Sequence, residues 1–203
     1  AINSDNYIVT RPGKPIMADV RLTSMSDSTY VAVYADESAD SRQIANLIVN
    51  DMNLGELLSV VPVPGLPAMD GLLRVDATYI DHGENFLVEG EVDADRFTYE
   101  GMKVGNLSTR FTYTPQGQYM HDIDAVLSLD EKNVLSLDGA YSAEGDGALD
   151  AALDFMDVPM QMFSAFVPDQ IVGFSGSMGG GIKVTGPMDA LLFNGVLLPR
   201  DVH

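Results

Sequence analysis

The stretch from Gly147 to Leu198, GALDAALDFMDVPMQMFSAFVPDQIVGFSGSMGGGIKVTGPMDALLFNGVLL, decides the fold class. It opens on strict alternation, with Leu149, Ala151, Leu153 and Phe155 separated by residues that include Asp150 and Asp154. A period of two with one polar phase marks a half-buried β-strand. The apolar run Val158 to Val167 fits two helical turns, beginning near Asp157 and stopping at Pro168. A glycine-rich ribbon, Gly173 to Gly186, follows, and the stretch ends on a strand from Leu191 to Leu198, interrupted at Asn194-Gly195. Nothing in this order of elements resembles a catalytic site. It reads as one turn of an extended β architecture.

The same alternation runs upstream. Residues 1–15 are polar and hold two prolines, so a loose opening segment is expected there. Ile16, Ala18, Val20 and Leu22 alternate with Met17, Asp19, Arg21 and Thr23, and Thr29 to Ala35 supplies the return strand after a turn at Ser24 to Ser28. Gln43 to Met52 is strand-like. Asn53 can then cap a short helix whose Leu54, Leu57, Leu58 and Val61 share one side until Pro62 stops it. Gly71 opens a strand with Leu73, Val75, Ala77 and Tyr79 on one side. Further strands are expected at Asn85 to Val92, Arg96 to Glu100, Leu107 to Thr114 and Tyr119 to Asp130, with Leu135, Leu137 and Tyr141 continuing the pattern after a Glu-Lys-Asn turn. Turn chemistry stands between these strands at Pro115-Gln116-Gly117-Gln118 and Gly145-Asp146-Gly147. Strands spaced this regularly, with no βαβ spacing, predict an all-β, mainly antiparallel, curved sheet with one or two short helices, either a groove or an elongated open sandwich. The chain reads as a single elongated β domain over residues 1–203. The recurrence of strand, capped helix, proline stop and strand divides it into two related units, about 16–100 and 101–198.

Composition narrows the function. The net charge of −19, from 30 acidic and 11 basic residues, argues against nucleic acid and against docking on anionic headgroups. Its simplest role is a solvated surface that keeps a β protein soluble. There is no cysteine, so no disulfide and no thiolate metal site. No apolar run approaches the ~18–20 residues that span a bilayer. The N-terminus lacks both a signal peptide and an initiator Met, which reads as a mature form or a piece of something longer.

Candidate chemistry is sparse. Asp122, Asp124, Asp130, Asp138, Asp150 and Asp154 occupy the polar phase of apolar strands, as a solvated outer face requires, and not the paired geometry of a glycosidase. Glu144-Gly145-Asp146-Gly147 lacks the ligand spacing of a calcium loop and reads as a hairpin turn. His82, His121 and His203 share no motif, and His121 lies on the apolar phase, as a hydrogen-bonded core histidine would. Gly179-Gly180-Gly181 leads into a strand and not a helix, so it cannot cradle a phosphate; a bulge or a tight bend is expected. Met156, Met160, Met162, Met178 and Met188 cluster in the quoted stretch and either fill a core or line an adaptable surface. No enzymatic activity, cofactor or metal is expected.

The run FVPDQIVGFSGSMGGGIKVTGPMDALLFNGVLL resembles repeats of the TamB/AsmA-like family of Gram-negative envelope proteins. The family's pattern is a short helix after a "pl" step, glycines alternating with apolar residues, a proline turn and an NG-led strand. Val158-Pro159-Met160, Gly176, Gly180, Ile182, Val184, Gly186-Pro187 and Asn194-Gly195-Val196-Leu197-Leu198 follow it. Ala190-Leu191-Leu192 stands where the family often has a proline. Val104-Gly105-Asn106-Leu107 and Leu137-Asp138-Gly139-Ala140-Tyr141 are similar in style, nearest to Bacteroidetes versions. The resemblance implies a periplasmic segment of a longer protein anchored in the inner membrane. It also implies a groove-like sheet with an apolar concave side, passage of phospholipid between membranes, and an outer-membrane barrel partner in protein assembly.

The expected lining of such a groove is Ile123, Ala125, Leu127, Leu129, Leu135, Leu137, Leu149, Leu153 and Phe155. Met160, Phe163 and Phe166 would plug the end of a core or close one end of the groove. Phospholipid acyl chains are the implied partner. The alternative is a secreted β-sandwich that binds carbohydrate or mediates adhesion, against which the absence of Trp counts. A glycoside hydrolase has only the carboxylates in its favour.

Overall fold

A computed structural model describes residues 4–24, 28–38, 41–60, 68–83, 85–145, 147–160 and 176–201. Among the described residues, twelve strands form one sheet whose spatial order is the chain order, every pair antiparallel. They are β1 (Tyr7–Val9), β2 (Met17–Thr23), β3 (Tyr30–Asp36), β4 (Gln43–Asn53), β5 (Met69–Asp81), β6 (Phe86–Tyr99), β7 (Met102–Gln116), β8 (Met120–Leu129), β9 (Lys132–Ser142), β10 (Ala148–Pro159), β11 (Ser177–Pro187) and β12 (Leu192–Arg200). The sheet is open and curved, as the alternation predicts, and no second sheet faces it among the described residues.

Tight turns produce this meander. Glu100-Gly101 joins β6 to β7 with φ of 49° and 77°, and Asp130-Glu131 joins β8 to β9 with φ of 44° and 67°. Positive φ at both central residues gives a turn whose twist matches that of the flanking strands. Among the described residues one short helix, α1 (Leu54–Val60), follows β4 and packs on β5 and β4. The Asn53 side chain caps it as expected, its Oδ1 accepting the Glu56 N–H at 2.7 Å. Pro62, the expected stop, lies outside the described residues.

Irregularity is concentrated at one end of the sheet. Register shifts fall at Val49/Met52, Asp70/Leu72, Ala94/Phe97, Leu127/Ser128 and Phe155/Val158, all near the edge where α1 sits. Asp51, Arg96 and Asp157, the residues inserted on β4, β6 and β10, have φ of 49°, 53° and 55°. Each bulge adds local twist and bends its strand. Bulges aligned over seven strands therefore concentrate bending at that end.

Several expectations need correction for the same reason. Asn85 to Val92 and Arg96 to Glu100 are one strand, β6, carried through a bulge at Asp95-Arg96. Asp157 caps no helix: it belongs to the bulge that lets β10 run on through Val158 and Pro159. The remainder of the run to Val167, and Pro168, lie outside the described residues. The opening segment is not wholly loose, because Tyr7–Val9 pairs with Met17–Asp19. Asn194-Gly195 does not interrupt β12, which pairs continuously with β11 from Leu192 to Arg200. A bulge does fall at the glycines Gly179-Gly180-Gly181, as expected, but its extra residue is on the partner strand, where Met156 and Asp157 of β10 together oppose Gly179. Gly180 is needed because the Val196 carbonyl fills the space a Cβ would take, and its φ is 121°.

Candidate functional site

Residues opposite one another in an antiparallel sheet share a face, so the register fixes which side chains stand together. Ile123, Ala125, Leu127 and Leu129 on β8, Leu135 and Leu137 on β9, and Leu149, Leu153 and Phe155 on β10 all lie on one face. Leu137 pairs with Ala125 and Leu153, Leu135 with Leu127 and Phe155, and Leu149 with Tyr141. Met160 follows the bulged end of β10, its N–H bonded to the Gly176 carbonyl at 3.0 Å. Phe163 and Phe166 lie outside the described residues.

The face extends well beyond the expected residues. One row runs from Val20 on β2 through Val33, Leu47, Ala77, Gly90, Phe111, Ala125, Leu137, Leu153 and Ile182 to Gly195 on β12 without a polar side chain. At ~4.8 Å per strand it is about 50 Å long. The alternation of β2 to β7 carried the signal for this half; what it lacked was the register that aligns those strands with β8 to β10.

Several of the larger side chains on this face are open to solvent. Ile123 is 37% exposed, Val33 37% and Leu47 39%. One cluster of buried apolar side chains stands at the bulged end, where Leu129, Val134 and Val158 pack with Val104, Leu107, Leu127 and Phe155, while Ala18, Ala35, Ala151 and Val184 are buried elsewhere on the same face. Val134 is the extra residue of the β8–β9 bulge, and that bulge turns it into the cluster.

At the opposite end a file of rings crosses β5 to β9. Tyr79, Phe86, Tyr113, His121 and Tyr141 succeed one another with centroids 5.3 to 6.0 Å apart. The His121 and Tyr113 rings stack, and the Tyr113 hydroxyl shares a hydrogen bond with His121 Nδ1 at 2.7 Å. His121 is thus partnered as expected, in a half-buried file and not in a core. Burial, and secondarily the charge of Asp81, raise the Tyr79 hydroxyl above its ordinary value. His82 sits apart in the β5–β6 turn, and His203 lies outside the described residues.

The other face is acidic. Arg74 donates from both terminal nitrogens to Asp95, at 2.7 and 3.0 Å, with Asp93 and Asp51 at 3.7 and 3.9 Å. The Asp95 hydrogen bond leads in raising the Arg74 pKa, so the guanidinium stays charged. Two shallow depressions of about 500 and about 520 Å³ open on this face, sharing Arg110 in their walls. No group of three or more His, Asp or Glu among the described residues is arranged to hold a metal. Asp122, Asp124, Asp138, Asp150 and Asp154 share this face, with Asp130 in the β8–β9 turn. Glu144 and Gly145 belong to a turn, as read from the sequence.

Comparison with protein-family models, curated proteins and solved structures finds no match to the chain.

Proposed function

We propose that the chain is a non-catalytic segment of a TamB/AsmA-like envelope protein whose apolar sheet face carries phospholipid acyl chains across the periplasm. In this role it serves outer-membrane biogenesis, with an outer-membrane barrel as the partner of the whole protein. The observation that carries the reading is the uninterrupted apolar row from Val20 to Gly195, half-exposed and backed by an acidic face. A lipid tail spans half of a ~30 Å hydrocarbon core, or about 15 Å, so the row is about three tails long. Each methylene taken from water contributes ~0.8 kcal/mol, and a lining without polar gaps keeps that contribution level as a tail moves along it. Apolar contact is non-directional, so sliding requires no chemistry.

The test is extraction of the purified chain followed by lipid mass spectrometry, alongside displacement of a fluorescent fatty acid. Co-purifying phospholipid and displaceable probe are expected. Neither lipid nor probe bound, in a chain with native circular dichroism, would overturn the reading.

A further inference from the structure

The polar atoms of the apolar face are graded along the strands. The row from Val20 to Gly195 has no polar side chain. The next row towards the bulged end, Leu22 to Leu197, has one, the Thr109 hydroxyl. The next row the other way brings in Tyr79 and Tyr113, and the row beyond it Gln43, Asp81, His121 and Tyr141. The face thus passes from apolar to polar within a few residues of each strand, and the ring file marks the change.

This margin carries hydrogen-bond donors but little positive charge. Among the described residues the Tyr79 and Tyr141 hydroxyls have no hydrogen-bond partner. Tyr113 and His121 share one bond, and whichever of them donates, the neutral pair keeps one further N–H or O–H. Among the described residues Arg42 is the one Lys or Arg at this margin of β4 to β9, and its Nε stands 3.7 Å from Asp81.

We propose that the ring file is the headgroup subsite of a phospholipid whose acyl chains lie along the strands, and that it takes zwitterionic headgroups in preference to anionic ones. This rests on the lipid reading above and fixes how the lipid lies. Ile123 to Leu127 spans four residues, ~14 Å at ~3.4 Å each, and a tail is about 15 Å long. A tail set along β8 from Ile123 therefore ends near Leu127, beside the buried cluster of Leu129 and Val134, with its headgroup at Tyr113, His121 and Tyr141. A tail laid along the row would instead put the phosphate over side chains that offer it no hydrogen bond, and desolvating an unpartnered charge is costly. In the strandwise pose a lipid moves from strand to strand while its phosphate passes between rings 5.3 to 6.0 Å apart. The hydroxyls donate to phosphate oxygens, but Arg42 is already beside Asp81, so nothing at this margin offsets a net negative headgroup, and a chain of net charge −19 repels one.

With no native cysteine, the full chain can carry a single bimane at Leu149→Cys, opposite Tyr141, or at Leu135→Cys, opposite Leu127 and Phe155. Each is titrated with two phosphatidylcholines, one bearing a nitroxide on the choline and one near the end of an acyl chain. The headgroup nitroxide should quench the Leu149 label several-fold more than the Leu135 label, and the tail nitroxide the reverse. Unlabelled phosphatidylethanolamine should displace both probes at several-fold lower concentration than phosphatidylglycerol. Tyr79→Phe combined with Tyr141→Phe keeps the rings and removes two donors, and should weaken phosphatidylcholine binding about fivefold or more with the circular dichroism unchanged. Tail quenching without this separation, a headgroup nitroxide that favours Leu135 or reaches neither label, equal displacement by the two lipids, or binding indifferent to the two hydroxyls would overturn the subsite and leave lipid carriage standing. No quenching by either probe would overturn both.

Discussion

Ile123 on β8 stands between Tyr113 on β7 and Gly139 on β9, and with no side chain on the β9 side the isoleucine is 37% exposed. Ile123 tells an open apolar face from a closed core. Truncating a buried Ile or Leu costs about 2–5 kcal/mol, because transfer and cavity terms add. Ile123→Ala should cost less than ~1.5 kcal/mol by urea denaturation. Leu129→Ala, in the packed cluster with Val134 and Val158, should cost at least ~2 kcal/mol. Equal and large costs would mean that the face is covered.

Gly180 and Val196 give a second test. The Val196 carbonyl occupies the place of a Gly180 side chain, and φ at Gly180 is 121°. Gly180→Ala therefore has to separate β11 from β12 as well as strain the backbone. Hydrogen exchange should show lost protection in β11 and β12 with β5 to β8 unchanged. Uniform protection across the sheet would contradict the close approach.

The β-sheet was legible because alternation survives in nearly every strand, and Asn53 announced its cap. The bulges were not legible. Arg96 and Asp157 insert a residue without glycine or proline to mark the place, so one strand was read as two and another as ending in a helix. The apolar face was legible for β8 to β10, where the inward positions from Ile123 to Phe155 are mostly aliphatic or aromatic, with Gly139 an exception. The ring file escaped notice because its members, such as Tyr79 and Tyr141, are far apart in sequence and meet only through register.

Tyr79 sets a pH dependence. Its hydroxyl is raised above the ordinary 10.0 by burial, so the folded chain holds its proton after the unfolded chain has released it. Stability should be unaffected by this group below pH ~10 and should fall as pH rises through the unfolded and then the folded value. Tyr79→Phe should flatten that fall in denaturation midpoints measured at alkaline pH. An unchanged slope would remove Tyr79 as its source.

The acidic face predicts a salt response. Arg74 and Asp95 are 40% and 35% exposed, so their pairing is of the surface kind, worth about 1 kcal/mol or less. Arg74→Gln leaves Asp51, Asp93 and Asp95 facing one another. The variant should lose up to ~1 kcal/mol at low ionic strength and recover most of it in concentrated salt, by thermal or urea melts. A loss independent of salt would point to packing of the Arg74 stem instead.

Ala125 and Asp124 are neighbours in the chain on opposite faces of β8, and the chain has no native cysteine to interfere with labelling. A bimane placed at Ala125→Cys and, separately, at Asp124→Cys can be challenged with a fatty acid carrying a nitroxide on its tail. Acyl chains held on the apolar face should quench the Ala125 label strongly, saturably and reversibly by unlabelled phospholipid, and leave the Asp124 label bright. Equal quenching at both positions, or none at either, would contradict lipid carriage on this face.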